Sequence, residues 1–375
     1  MNILLAPDSF KGSLSAIEVA DAIAKGILEF DPSISCIKAP IADGGEGSLA
    51  ALKMATGCQL ISAPSTDPLG RKIQAQYGLL PDRSTAIIEM ATTSGLPLLK
   101  PSEYNPSKTS TYGTGLLIRH ALDQGIRHFI IAIGGSATND GGAGMAQALG
   151  ASLLDKAGDE LAHGGATLGN LHRMDMSSFD IRVAQSKFEV ACDVTNPLCG
   201  PEGASFVFGP QKGATPEEVK QLDFNLSHYA EIIEKSLHIN IKNMPGAGAA
   251  GGLGAGLVAF CHAELKGGFE LIAKAIRLED KIEKADLILA GEGSMDAQTL
   301  SGKAPFGVAQ LGKKYGKPVY GIAGILGKGH EALLQKGFTQ LFEIKSPDMS
   351  VEASIQNASE LISQTVKRIL SLHFQ

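Results

Sequence analysis

Residues 130–150 read Ile-Ile-Ala-Ile-Gly-Gly-Ser-Ala-Thr-Asn-Asp-Gly-Gly-Ala-Gly-Met-Ala-Gln-Ala-Leu-Gly, and this stretch sets the fold class. Its first four residues are apolar without alternation, the pattern of a strand buried on both faces. The glycines that follow permit a sharp turn and leave backbone N–H groups bare toward an approaching ligand. Helical spacing resumes over residues 145–149. Strand, Gly-rich loop and helix together aim amides and a helix N-terminus at one spot, which suits an anion such as a phosphate. A tight βα connection without a ligand gives the same pattern, so the recurrence of similar loops decides the reading. Comparable loops do recur along the chain, each with a carboxylate.

Toward the N-terminus, residues 3–6 read as a buried strand that ends in Pro7-Asp-Ser-Phe-Lys-Gly-Ser13. A helix opens at Ser15, where Glu18 completes a capping box and Ile17, Ala20, Ala24, Ile27 and Leu28 form an apolar stripe. Residues 34–41 make a second strand, closed by Ala42-Asp-Gly-Gly-Glu-Gly-Ser48. This βαβα start predicts a parallel sheet covered by helices. The pattern changes near Asp67, and residues 73–80 and 85–91 read as an antiparallel hairpin. A strand at 188–192 and a helix opened by Thr215, Pro216 and Glu218 follow.

The βα pattern returns at residues 287–290, a strand ended by Gly291-Glu-Gly-Ser-Met-Asp296. Strands at 319–323 and 340–344 and a final amphipathic helix complete the chain. The predicted class is α/β with two domains. A Rossmann/flavodoxin-like parallel sheet is built from residues 1–65 and 284–375, and a mixed α/β domain of residues 66–283 is inserted into it, with the active site expected in the cleft between them.

Composition narrows the function. A net charge of -6, with no block of Lys and Arg, argues against a nucleic-acid surface. Any anionic ligand must then be held by amides, a few placed cations and a metal. Five scattered cysteines do not make a disulfide framework and fit a reducing compartment. The N-terminus turns polar at once, unlike a signal peptide, and no apolar run reaches membrane-spanning length, so a cytoplasmic protein is expected.

Ligands of open parallel sheets bind beyond the carboxyl ends of the strands. There the sequence places Asp8, Ser9 and Lys11, then Asp43 and Glu46, then Glu292 and Asp296. The inserted domain offers Ser136, Thr138, Asn139 and Asp140, and further on Asp193, Thr195 and Asn196. Several carboxylates at adjoining loops would repel one another, and magnesium shared with substrate phosphates would relieve this. Asp43 and Asp296 also precede helices, where an N-cap is the ordinary role of an Asp. Lys11, Lys212 and Lys303 lie in Gly-rich turns that ease approach of a phosphate, although a lone lysine is by default a solvated surface charge. Gly246, Gly248 and Gly251 fit GxGxxG without a clear preceding strand, weak support for a dinucleotide. No zinc-binding histidine pair, nucleophile elbow or Walker A pattern is present.

The segments 6–13, 42–47, 133–144, 191–198, 208–214, 245–252 and 291–299, with Gly302-Lys-Ala-Pro305, resemble those of the bacterial class I glycerate kinases, in order and from end to end. The resemblance implies ATP-dependent phosphorylation of D-glycerate, most often to 2-phosphoglycerate, with magnesium. In that frame Asp43 and Asp296 are expected to hold magnesium or act as base, with Asp193 the other candidate base. Lys11 and Arg71, with Asp8, Ser9 and Lys303, are expected around the glycerate carboxylate or the transferred phosphoryl. Gly134, Gly135, Ser136, Thr138, Asn139 and Asp140, with Gly248 and Gly251, are expected at the nucleotide. One departure is Ser294, where the family pattern leads us to expect Arg; a neighbouring lysine would have to compensate. Expected partners are ATP and glycerate, without nucleic acid or membrane, and a homo-oligomer is compatible with the sequence. The alternatives are an NAD-dependent hydroxy-acid oxidoreductase using residues 246–251 and a non-catalytic sugar-acid-binding protein.

Overall fold

In the computed structural model, which describes residues 1–41, 48–301 and 303–374, the first strand has partners from both ends of the chain. The N-terminal strands are β1 (Asn2–Pro7) and β2 (Ser35–Lys38). Next come β3 (Gln59–Thr66), β4 (Lys72–Leu79), β5 (Thr85–Glu89) and β6 (His128–Ala132). They are followed by β7 (Ser152–Leu154), β8 (Arg173–Asp175), β9 (Lys187–Ala191) and β10 (Glu264–Lys266). The chain closes with β11 (Leu287–Met295), β12 (Val319–Leu326) and β13 (Gln340–Glu343).

The first unit holds a wholly parallel sheet in the order β13-β12-β11-β1-β2. Alternation along its strands serves two helical layers. Ile3, Leu5, Leu287, Leu289 and Ile322 join one core with the helices Ala16–Phe30 and Ala358–His373. The helix Ala304–Lys314 covers the other face, where a Cβ added to Gly312 would lie 2.2 Å from Val319 Cγ2. Ser15 and Glu18 form the expected capping box. The parallel sheet assembled from both chain ends is therefore present.

The second unit has a mixed six-stranded sheet in the order β10-β9-β6-β5-β4-β3. The expected hairpin is brief: β4 meets β5 antiparallel only at Gly78↔Ile87 and Leu79↔Ala86, after which β5 runs parallel to β6. β3 pairs antiparallel with β4 along its whole length, from Gln59↔Leu79 to Thr66↔Lys72. That pairing assigns β3 to the second unit, which runs from Gln59 to Gly268, so the division falls earlier at both junctions than residues 65 and 284. Within the sheet Glu189 is buried. Burial alone would raise its pKa, but bonds from Lys266, His128 and Lys187 hold it at about 2. No helix among the described residues is long and apolar enough to cross a membrane, and the five cysteines are unbridged.

Gly26 allows the helices of the two chain ends to touch. A Cβ there would sit 2.5 Å from the Ser363 carbonyl oxygen and 2.9 Å from Ser363 Cα. In an isolated helix Gly→Ala stabilises by about 1 kcal/mol. Here the sign should reverse: Gly26→Ala is expected to cost about 1–3 kcal/mol as overpacking, read as a lower urea midpoint at unchanged slope.

Candidate functional site

Renumbered within the first unit, the strand order is 2-1-3-4-5, and its direction of growth reverses between β1 and β11. Such a reversal leaves a crevice at the carboxyl ends of the two strands. β1 ends in Asp8, whose N–H donates to the Gly291 carbonyl at 2.8 Å while its Oδ1 accepts from Ser9 N–H at 2.6 Å. β11 passes so close that a Cβ on Gly293 would lie 3.3 Å from Lys11 N. One residue earlier, Glu292 is buried, accepting from Thr299 Oγ1 at 2.6 Å and from Lys303 Nζ at 3.0 Å.

A cavity of about 290 Å³ opens there, with Asp8, Ser9, Lys11, Glu292, Ser294 and Lys303 among its lining residues. Four residues expected at the site from sequence, Asp8, Ser9, Lys11 and Lys303, are thus gathered in one place. Ser294 is on this wall, and both lysines that could supply the charge of an Arg line the same cavity. Asp296 does not line it. Its Oδ1 accepts from Gln298 N–H at 2.7 Å, capping the short helix Ala297–Ser301, the ordinary role of such an Asp. Asp43, like Glu46, lies outside the described residues.

In the second unit, the Gly-rich loop after β6 turns at Gly135, which has φ +73° and is exposed beside a half-buried Gly134. Ser136 is nearly covered, and Thr138, Asn139 and Asp140 are fully buried. The Asp140 carboxylate accepts from Thr111 N–H at 2.8 Å, Thr111 Oγ1 at 2.9 Å, and the amides of Gly142 and Gly144 at 3.2 and 3.3 Å. Asn139 Nδ2 donates to Ser205 Oγ at 2.9 Å. These three side chains are buried within the loop, while Gly134 and Gly135 stay at its surface.

Gly248 and Gly251 are packed tightly by backbone from other segments. A Cβ on Gly251 would lie 1.9 Å from the Thr138 carbonyl oxygen, and one on Gly248 would lie 2.2 Å from that of Pro197. At both positions backbone packs directly on backbone.

Asp193 follows β9, is exposed, and accepts from Gly268 N–H at 2.7 Å. Arg71, expected to grip an anion, is held by buried Asp67 and by Glu103, the latter at 2.7 Å. Its guanidinium is half-exposed and paired with two carboxylates of its own unit.

Lys212, read from sequence as a surface charge or a phosphate ligand, is neither. It is 1% exposed and donates from Nζ to the Thr138 carbonyl at 2.7 Å, tying residues 210–212 to the Gly-rich loop. The glycine that follows it, Gly213, was the only signal, and such a glycine marks turns of any kind. Burial lowers its pKa to about 7, against the opposing pull of Asp140. An unfolded lysine titrates near pH ~10.4, so between these values the unfolded chain binds more protons and stability rises with pH. Replacement by Met should remove this contribution: the stability difference between wild type and Lys212→Met, from urea unfolding at pH 7 to 9.5, should shift in favour of wild type as pH rises.

The Glycerate kinase family model matches residues 3–373. Glycerate 2-kinase of Escherichia coli is 48% identical over 98% of this chain and 97% of that protein. Glycerate kinase of Bacillus subtilis is 47% identical with the same coverage. A crystal structure of a candidate glycerate kinase 2 from Salmonella typhimurium LT2 matches with TM-score 0.88 and 49% identity, over 99% of this chain and 98% of that one. By sequence along its whole length and by three-dimensional likeness, the chain belongs to the glycerate kinase family.

Proposed function

We propose that this protein transfers the γ-phosphoryl group of ATP to the 2-hydroxyl of D-glycerate, with magnesium, giving 2-phospho-D-glycerate and ADP. The observation that carries this reading is the near-complete overlap, at almost half identity, with a protein named glycerate 2-kinase. In the transfer, the glycerate oxygen bonds to phosphorus as the bond to the ADP oxygen breaks, and the hydroxyl proton passes to a carboxylate.

Phosphoryl transfer asks a protein mainly for positioning and for charge neutralisation. The ammonium groups of Lys11 and Lys303 would stabilise charge developing on the phosphoryl oxygens. Glu292, fixed by Thr299 and Lys303, would keep the Lys303 ammonium in place. Among the described residues no three His, Cys, Asp or Glu side chains gather as a metal cage. Magnesium does not need one, since it binds through one or two carboxylates plus substrate phosphates. The oxygen donors Asp8 and Glu292 at the cavity fit that mode, and Asp43 and Asp296 remain proposed ligands from sequence. When bound, the ion would neutralise the β- and γ-phosphates. Asp193, Asp296 or Asp43 would take the hydroxyl proton, and Gly134 and Gly135, with the nearly covered Ser136 beside them, would offer the Gly-rich loop to phosphate.

Incubation with ATP, magnesium and D-glycerate should release ADP, and phosphorus NMR of the product should show a phosphoester at C2. A C3 ester would overturn the 2-hydroxyl, and no ADP release would overturn the transfer. The base should reveal itself through Asp43→Asn, Asp193→Asn and Asp296→Asn, one of which should lower kcat by about 10²-fold or more. Lys303→Met should lower kcat by about tenfold or more, in line with loss of a charge-stabilising group.

A further inference from the structure

The cavity between β1 and β11 has a second wall that the transfer chemistry does not use. Beyond the lysines it is lined by Ile325, at the end of β12, by Ile344, after β13, and by Val351, Ile355 and Ala358. Val351 and Ile355 are 43% and 42% exposed, so two branched aliphatic side chains that line the cavity are only partly covered. The first wall is tied to the second: Ser13 Oγ, in the turn after β1, donates to the Ile355 carbonyl at 3.0 Å.

A hydroxy acid of three carbons, each bearing oxygen, gains nothing from an aliphatic wall. Its carboxylate and hydroxyls would be desolvated there without partners. At about 290 Å³ the space is near the lower end of sites that hold drug-sized ligands, roughly 300 Å³ and upward. An aromatic base on a ribose fills such a space and offers flat apolar faces to branched side chains, while its phosphates need cations at the other end. Such cations, Lys11 and Lys303, line the same cavity. Reversal of strand order at this point is also where nucleotides sit in parallel sheets of this order.

We propose that this cavity is the nucleoside subsite of the phosphoryl donor, with the base against Ile325, Ile344, Val351 and Ile355 and the phosphates toward Lys11 and Lys303. The assignment rests on the phosphotransferase reading and deepens it by separating donor from acceptor: the adenosine end belongs to the first unit, and glycerate is bound elsewhere than on this wall.

The chain contains no tryptophan, so one introduced at the rim is a unique reporter. Val351→Trp should show a saturable fluorescence change with ADP and, at higher concentration, with adenosine, but none with D-glycerate or inorganic triphosphate. Ile355→Asp should raise the calorimetric Kd for ADP at least tenfold while the KM for D-glycerate stays within twofold. Both positions are partly exposed, so the substitutions do not open the core. If wild type binds ADP but the tryptophan is silent and Ile355→Asp binds ADP as wild type does, the subsite is wrong and the kinase reading stands. A response to D-glycerate in place of ADP would also overturn it. Failure of wild type to bind ADP at millimolar concentration, together with no ADP release in the assay, would remove the kinase reading itself.

Discussion

β1 is bonded on one side to β2, with Ile3 opposite Cys36, and on the other to β11, with Ile3 opposite Leu287. Both pairings are parallel, so the carboxyl ends of β1 and β11 emerge at the same edge of the sheet. That constraint puts Asp8 next to Gly291 and brings the turn containing Lys11 against Gly293. A slip of one residue in either register would turn Ile3 and Leu5 out of the core they share with Leu287 and Leu289. Apolar burial thus fixes the register, and the register fixes which polar groups meet at the cavity.

The second unit uses its polar residues differently. Asp140 is a carboxylate with no exposure, surrounded by amides and hydroxyls of its own loop and of Thr111. An unpaired charge in such a place would be very unfavourable, and here the donors that surround it also set the path of the Gly-rich segment. Lys212 adds a bond to the Thr138 carbonyl from the other side. Thr138 Oγ1 and Asn139 Oδ1 are buried with no hydrogen-bond partner among the described residues, a cost the fold carries at this loop. Stability and loop geometry are supplied by the same atoms.

Much of this was legible in the residues. Continuous apolar runs marked the parallel strands, and Ser15 with Glu18 and Thr215 with Glu218 marked helix starts that are present as capping boxes. Asp8, Ser9, Lys11 and Lys303 came from the rule that strand ends carry the chemistry, and they do line one cavity. Exposure is what residue type does not give. Asp140, Gly251 and Lys212 look like ligand-facing groups in one dimension, yet each is defined by a partner far away in sequence: Thr111, Thr138 and again Thr138. Arg71 likewise has a partner, Glu103, that lies beyond any local pattern. The apolar lining at Ile325, Ile344 and Val351 carries no signal in the sequence, because periodicity does not distinguish a buried face from the lining of a cavity.

The late arrival of β11 also bears on how the chain is made. At ~5–20 residues per second, a ribosome completes it roughly 15 to 60 seconds after β1. Over that interval β1 and β2 have emerged with a bare row of amides and carbonyls, the kind of edge that recruits unrelated chains. Meanwhile the sheet from β3 to β10 contains all of its own partners and can close first. β1 is therefore a segment that a ribosome-bound chaperone would have reason to shield, and the emergence of β11 is what covers its open edge.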